Sequence, residues 1–193
     1  MANQIFINPE NPEEEKIKIA AGVIRSNGVI IYPTDTVYGI GCDICSAEGV
    51  ERIFRIKHRG EKPLSVAFSD LDMLRKFVVL PPEHEEFIKK HLDEPCTFIV
   101  KKTGKIPDAV TAGLDAVGVR IPDHRVVKEL IKASGVPIIT TSANISGRKA
   151  PKAVDEIDDE VRELVDLIVD SGVCRIGVPS RVIDLATHKV LRV

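Results

Sequence analysis

The chain has 193 residues, 44% of them hydrophobic, with 27 basic and 29 acidic side chains and a formal charge of −2. That length suits one large domain, the apolar content is too high for disorder, and no stretch approaches the ~18 uninterrupted apolar residues that a membrane span needs. A near-neutral balance gives no global pull toward polyanions, and 4% aromatics without tryptophan argue against a base-stacking platform for single-stranded RNA.

The opening Met1-Ala2-Asn3-Gln4 shows no basic-then-apolar leader pattern, so a cytoplasmic location is expected. Ile5 to Ile7 reads as a short strand. Asn11-Pro12-Glu13-Glu14-Glu15 has the form of a helix start: a cap, a proline in the first turn, acids at the positive dipole end. That helix runs to about Ser26 and stops at Asn27-Gly28. Val29 to Tyr32 is a continuous apolar run of strand length, buried on both faces. Ser46 caps a helix with Val50, Ile53, Phe54 and Ile56 on its inner side, ending near Lys57. Leu64 to Phe68 is a strand, and Asp70 caps a short helix after it. Pro81 to His91 is a helix that buries Phe87, Ile88 and Leu92. Strands follow at Thr97 to Val100 and Val117 to Ile121, then a helix from Val126 to Ala133 ending at Ser134-Gly135. Pro137 to Thr140 is a strand, Val154 to Leu164 a helix, Leu167 to Val169 a strand. Arg181 to Leu185 and Val190 to Arg192 are late strands, candidates for a hairpin. Alternation of strands and helices argues α/β, and the late consecutive strands argue for a mixed, strongly twisted sheet with helices packed outside.

Three segments carry chemistry. In Thr34-Asp35-Thr36-Val37-Tyr38-Gly39 the hydroxyls follow a strand that Pro33 must end, where ligands sit in open α/β sheets. Gly39 and Gly41 permit close backbone approach. A turn satisfied by its own Thr and Asp side chains is the plainer reading of the segment taken alone. Lys57-His58-Arg59-Gly60-Glu61-Lys62 is either a complement to a helix C-terminal dipole or a phosphate site, with Arg59 as the fork and Lys57 and Lys62 as point charges. Arg120, at the end of an apolar strand, adds one more cation. Thr140 to Gly147 is rich in small polar residues, either a cap-and-turn cluster or a ligand cradle.

Cys42 and Cys45 form a C-x2-C pair, but Cys96 and Cys174 are isolated and His58 has no ligand spacing. Buried free thiols in a reducing compartment are the plainer reading, and no protein-held metal is expected. There is no P-loop, no G-x-G-x-x-G and no G-x-S-x-G, so positioning and charge neutralisation fit better than covalent catalysis.

Tyr32-Pro-Thr-Asp-Thr-Val-Tyr-Gly-Ile-Gly41, Lys57-x-Arg59, Lys62-Pro-Leu, Pro95-Cys-Thr-Phe, Val119-Arg-Ile-Pro122, Ser142-Ala-Asn144 and Ser180 to Asp184 resemble, collinearly, the YrdC-type threonylcarbamoyl-AMP synthases. The resemblance implies a single YrdC-like domain over 1–193 with a basic concave pocket, lacking the C-terminal extension of longer members. It implies formation of threonylcarbamoyl-AMP and pyrophosphate from L-threonine, bicarbonate and ATP with Mg2+. Thr36, Arg120, Thr140 and Ser180 would contact threonine, Arg120 as a bidentate partner of its carboxylate. Arg59, Lys62, Ser142, Asn144 and Arg192 would contact ATP, with Lys57 and Arg59 as the catalytic pair. Downstream proteins would transfer the group to tRNA, and tRNA or double-stranded RNA is a candidate direct partner. Gly60, Ala67, Ala116 and Arg181 depart from the family pattern. Phe6-x-Asn8-Pro9-x-Asn11-Pro12, and Cys42 with Glu51-Arg52-Ile53, look closer to the sister YciO-like proteins. An RNA-binding module is the other alternative.

Overall fold

A computed structural model describes residues 2–60 and 62–192; Glu61 of the basic segment lies outside them. In chain order the elements are β1 (Asn3–Phe6), α1 (Glu14–Arg25), β2 (Ile30–Tyr32), β3 (Gly39–Gly41), α2 (Ala47–Ile56), β4 (Ser65–Ala67), α3 (Leu71–Leu74), α4 (Pro82–Lys90), β5 (Cys96–Lys101), α5 (Asp108–Thr111), β6 (Ala116–Arg120), α6 (Arg125–Ser134), β7 (Ile138–Ser142), α7 (Asp159–Glu163), β8 (Leu167–Asp170), β9 (Arg181–Asp184) and β10 (Lys189–Arg192). The ten strands form one sheet in the order β1-β8-β2-β3-β7-β4-β6-β5-β9-β10. Pairing is mixed. For example, β2 is parallel to β8 and antiparallel to β3, while β4 is parallel to β6 and antiparallel to β7.

Capping explains several boundaries. Ser46 accepts from the Gly49 amide and Asp70 from the Met73 amide, as their positions predict. Asn11 does not cap α1. The helix begins at Glu14 with Glu13 as its N-cap residue, and the Asn8 side chain instead closes a turn by accepting from Glu10 and Asn11. The expected helix over Val154 to Leu164 is broken into a 3-10 turn at Val154–Glu156 and the short α7. Ile157, between them, has an extended backbone and is buried. The first strand runs at Asn3–Phe6 rather than from Ile5 to Ile7. The late strands do form an antiparallel pair. Strand β3 and the four-residue α5 were not expected.

Because strand side chains alternate, each apolar strand feeds two cores. Ile30 and Tyr32 of β2, Ile138 of β7, and Leu167 and Val169 of β8 join Ile17, Ala20, Ile24, Val126, Leu130 and Ile131 under α1 and α6. Ile31, Ile139 and Ile168 point the other way, into the larger core with α2. On the α1/α6 face the sheet continues past the two helices. There the residues two positions along from Ala67 and Ile138 are Ser65 and Thr140, and both line a hollow. Polar residues at positions of an otherwise apolar face thus mark where helix cover ends.

The β3 glycines do not serve a ligand alone. The Tyr32 ring lies over them, and its hydroxyl donates to the Ile139 carbonyl at 2.9 Å. A Cβ on Gly41 would stand 2.0 Å from that carbonyl oxygen and 3.0 Å from the ring. Gly41→Ala is expected to lose about 3 kcal/mol, the upper range for overpacking. In a thermal melt that is a fall in Tm of about 10 °C.

Candidate active site

The hollow encloses about 240 Å3 and opens to solvent. Residues from seven separate stretches meet in it: Thr34, Thr36, Val37 and Gly39; Arg59 with Pro63 to Ser65; Thr97; Arg120; Thr140 to Ser142; Pro179 and Ser180; and Arg192.

The β2–β3 loop is built first by its own side chains. The Thr34 hydroxyl donates to the Val37 carbonyl and accepts from the Thr36 and Val37 amides, so it is largely spent on the turn. The strap at Ile176-Gly177 clamps the loop from outside, donating to the carbonyls of Asp35 and Thr36 at 3.0 and 2.8 Å. Thr36 Oγ1 lies 2.9 Å from Thr34 Oγ1 and accepts from Arg120 Nη1 at 2.8 Å. Arg120 Nη2 donates to both carboxylate oxygens of Asp35 at 2.8 Å. Both partners are buried, at 7% and 3% exposure. The fork expected to be open to a ligand carboxylate is therefore partly committed. Asp35 neutralises Arg120 from behind, leaving part of the guanidinium on the wall.

Arg59 and Arg192 differ from Arg120 in charge balance. Neither makes an ion pair among the described residues. Arg59 Nε is buried without a hydrogen-bond partner, and Nη2 reaches only the Pro63 carbonyl at 3.4 Å. Burial lowers the guanidinium pKa of Arg59, and burial followed by the nearness of Arg120 lowers that of Arg192. Arg192 Nε donates to the Ser180 carbonyl at 2.9 Å, which holds β10 against the start of β9. The Ser180 and Thr97 hydroxyls are 2.8 Å apart.

Of the residues singled out from sequence, Thr36, Arg59, Arg120, Thr140, Ser142, Ser180 and Arg192 line one hollow. Lys57, Lys62 and Asn144 do not. Lys57 is buried with its ammonium directed at the carbonyls of Ser142 and Asn144. Asn144 is tied to Lys57, Ser142 and Arg148. Lys62 is exposed, next to the lining Pro63. Sequence reading missed Ser65 and Thr97 on the wall and Asp35 behind Arg120. Strand alternation could have found the first two, because each is a hydroxyl beside a buried Val66 or Phe98. Of the four cysteines, Cys45 is exposed rather than buried.

A hydroxyl-walled hollow edged by Arg120 and by two guanidiniums, Arg59 and Arg192, that lack carboxylate partners among the described residues, on the uncovered part of a mixed sheet, defines an α/β protein with a cationic pocket. The chain belongs to the Sua5/YciO/YrdC family: that family's model, described as "Telomere recombination", matches residues 22–193. The threonylcarbamoyl-AMP synthase of Pyrococcus abyssi (strain GE5 / Orsay) is 40% identical over 186 residues, 94% of this chain and 54% of the relative. The crystal structure of P. abyssi Sua5 complexed with L-threonine superposes with a TM-score of 0.88 at 38% identity, over 94% of this chain and 54% of that one. E. coli YciO gives a TM-score of 0.90 at 31% identity, covering 100% of this chain and 95% of its own. The chain thus spans about half the length of the Pyrococcus relative. Among the described residues no helix is long and apolar enough to cross a membrane.

Proposed function

We propose that this chain makes threonylcarbamoyl-AMP and pyrophosphate from L-threonine, bicarbonate and ATP, the activated group then passing to tRNA through other proteins. The meeting of Arg59, Arg120, Ser142, Ser180 and Arg192 around one hollow carries this reading. The likeness to a synthase, and to a Sua5 structure holding L-threonine, supports it.

The chemistry needs three reactants side by side. The threonine amine forms an N–C bond with bicarbonate carbon, with loss of water. A carbamate oxygen then attacks the α-phosphorus, and the bond to the bridging oxygen breaks as pyrophosphate leaves. In this reading Arg120, with Thr36, Thr140 and Ser180, orients the amino acid. Asp35 lowers the net charge there, which matches a zwitterion better than a bare cation would. Arg59 and Arg192 face the triphosphate, where unneutralised guanidiniums stabilise the leaving charge, and Ser142, its hydroxyl hydrogen directed to Asn144, lines the wall beside them. Lys62, exposed beside the lining Pro63, would meet it from the rim.

The donor set fits a magnesium ion carried in on ATP. The hollow offers hydroxyls and guanidiniums, and its nearest carboxylate, Asp35, is turned to Arg120. Among the described residues no group of three or more His, Cys, Asp or Glu could hold a metal. When bound with ATP, magnesium would supply further charge neutralisation.

Incubation with ATP, magnesium, bicarbonate and labelled threonine should give a threonine-containing adenylate, with pyrophosphate release that requires threonine and bicarbonate together. ATP turnover indifferent to threonine would sink the reading and favour a YciO-like paralogue. Tight tRNA or double-stranded RNA binding with steep salt dependence, in place of turnover, would favour an RNA-binding module.

A further inference from the structure

We propose that Lys57 is a positioning residue: it holds Ser142 and Asn144 at the edge of the pocket and does not itself touch the nucleotide's phosphates. This rests on the nucleotide reading above and changes the part Lys57 plays in it.

An ammonium has three N–H donors. Lys57 Nζ has three acceptors: the Ser142 carbonyl at 2.5 Å, the Asn144 carbonyl at 2.8 Å and Asn144 Oδ1 at 3.2 Å. Its donors are therefore spent, the residue is 3% exposed, and it is absent from the pocket wall. The backbone repeats the tie, since the Ser146 amide donates to the Lys57 carbonyl at 3.0 Å. His58, at φ +47°, turns the chain between Lys57 and Arg59. Lys57 is directed under the end of β7, while Arg59 lines the hollow.

Orientation passes outward from there. Asn144 Oδ1 accepts from both Lys57 and the Ser142 hydroxyl, the latter at 2.6 Å, while Asn144 Nδ2 donates to the Arg148 carbonyl. Ser142, fixed by its bond to Asn144 and by the Lys57 bond to its carbonyl, is the member of the group that lines the pocket. The ammonium also gathers two carbonyls and an amide oxygen at one point. Without it, three buried acceptors would face one another beside the place an anion must enter.

Burial, with Arg59 close by, lowers the Lys57 ammonium to about 8. Arg59 stays protonated well above that pH. The β7 end and the 143–146 turn, packed against it, bring no ionisable side chain. Nucleotide affinity should therefore fall as pH rises through about 8, where phosphate is already fully charged. Stability moves in the opposite sense for this group: above pH 8 the unfolded chain binds more protons than the folded one, so raising pH relieves the burial penalty.

The test measures binding of AMP, ADP and ATP by calorimetry from pH 6.5 to 9.5 on the wild type, K57M and K57R. It adds 15N NMR of the lysine ammonium groups in the wild type. Positioning predicts that K57M weakens all three nucleotides by the same factor, about tenfold, the scale of a charged hydrogen bond. It predicts no rescue by K57R, whose planar fork cannot meet three convergent acceptors. It predicts loss of the inflection near pH 8 in K57M, and a solvent-protected Lys57 ammonium signal that nucleotide leaves in place. A loss that grows with the number of phosphates, rescue by K57R, or unchanged affinity in K57M would overturn it. Should K57M fail to fold, the wild-type ammonium signal decides alone: protected and undisturbed by nucleotide supports the clamp, exchanging or shifted on binding refutes it. A wild type that binds no nucleotide overturns the functional reading instead, while a protected ammonium in the free protein still upholds the clamp.

Discussion

Arg59→Ala should reduce kcat/KM for ATP by a hundred- to a thousandfold, on the order of the loss seen when one preorganised donor to developing charge is removed. The size follows from what Arg59 lacks. No carboxylate pairs with it among the described residues, its Nε is buried without a partner, and its contact to the Pro63 carbonyl is long at 3.4 Å. A guanidinium held partly desolvated and unpaired, at a pocket wall, reserves its hydrogen bonds for a ligand. The same features predict little effect on folding. Removing a half-buried cation sheds a desolvation penalty and gives up only a long contact to the exposed Pro63 carbonyl, so the Tm should stay level or rise. Arg59→Lys should recover only a small part of the activity, because a point charge cannot reproduce the bidentate fork. Steady-state kinetics with ATP varied at saturating threonine, beside a thermal melt of each variant, separates the two effects. A fall in Tm matched to the fall in activity would show Arg59 to be structural.

Asp35→Ala should behave in the opposite way, as a stability mutant of the first rank. It strands the Arg120 guanidinium at 7% exposure with Thr36 as its remaining partner. Breaking a buried ion pair from one side costs about 3–5 kcal/mol, which for a chain of this size is a fall in Tm of about 10 °C or more. Replacing both members costs less than replacing Asp35 alone, since no uncompensated charge remains. Asp35→Ala combined with Arg120→Met should therefore be more stable than Asp35→Ala. Urea denaturation of the two single variants and the double variant measures the coupling. Additive effects would mean that the pair contributes nothing beyond its separate parts.

These two arginines show how far local reading reaches. Both read from the sequence as candidate ligand contacts, from their places after a helix and at a strand end. Their different pairing was not legible, because it lies in Asp35, 85 positions before Arg120 in the chain. Asp35 read more plainly as a turn residue. Lys57 was grouped with Arg59 as a second phosphate charge because sequence shows proximity and not direction. The left-handed His58 between them and the carbonyls of a strand 85 positions further on turn it inward. Strand β3 escaped notice because Gly39-Ile40-Gly41 has neither length nor a β-branched pair, and its pairing with β2 on one side and the distant β7 on the other makes it a strand.

What the sequence by itself determined was set by neighbours within a few positions: the α/β alternation, the caps at Ser46 and Asp70, the buried run of β2, and the hydroxyl and guanidinium groups placed at the ends of elements. Those features depend on hydrogen bonds and side-chain periods that span one turn or one pleat. Only the tertiary structure decided the strand order, with β7 inserted between β3 and β4, and therefore which scattered hydroxyls share a wall. It also decided which cations are already neutralised or spent. The physical reason is that strand pairing and buried charge balance are settled between residues many tens of positions apart, through loop closure and desolvation that no local pattern encodes.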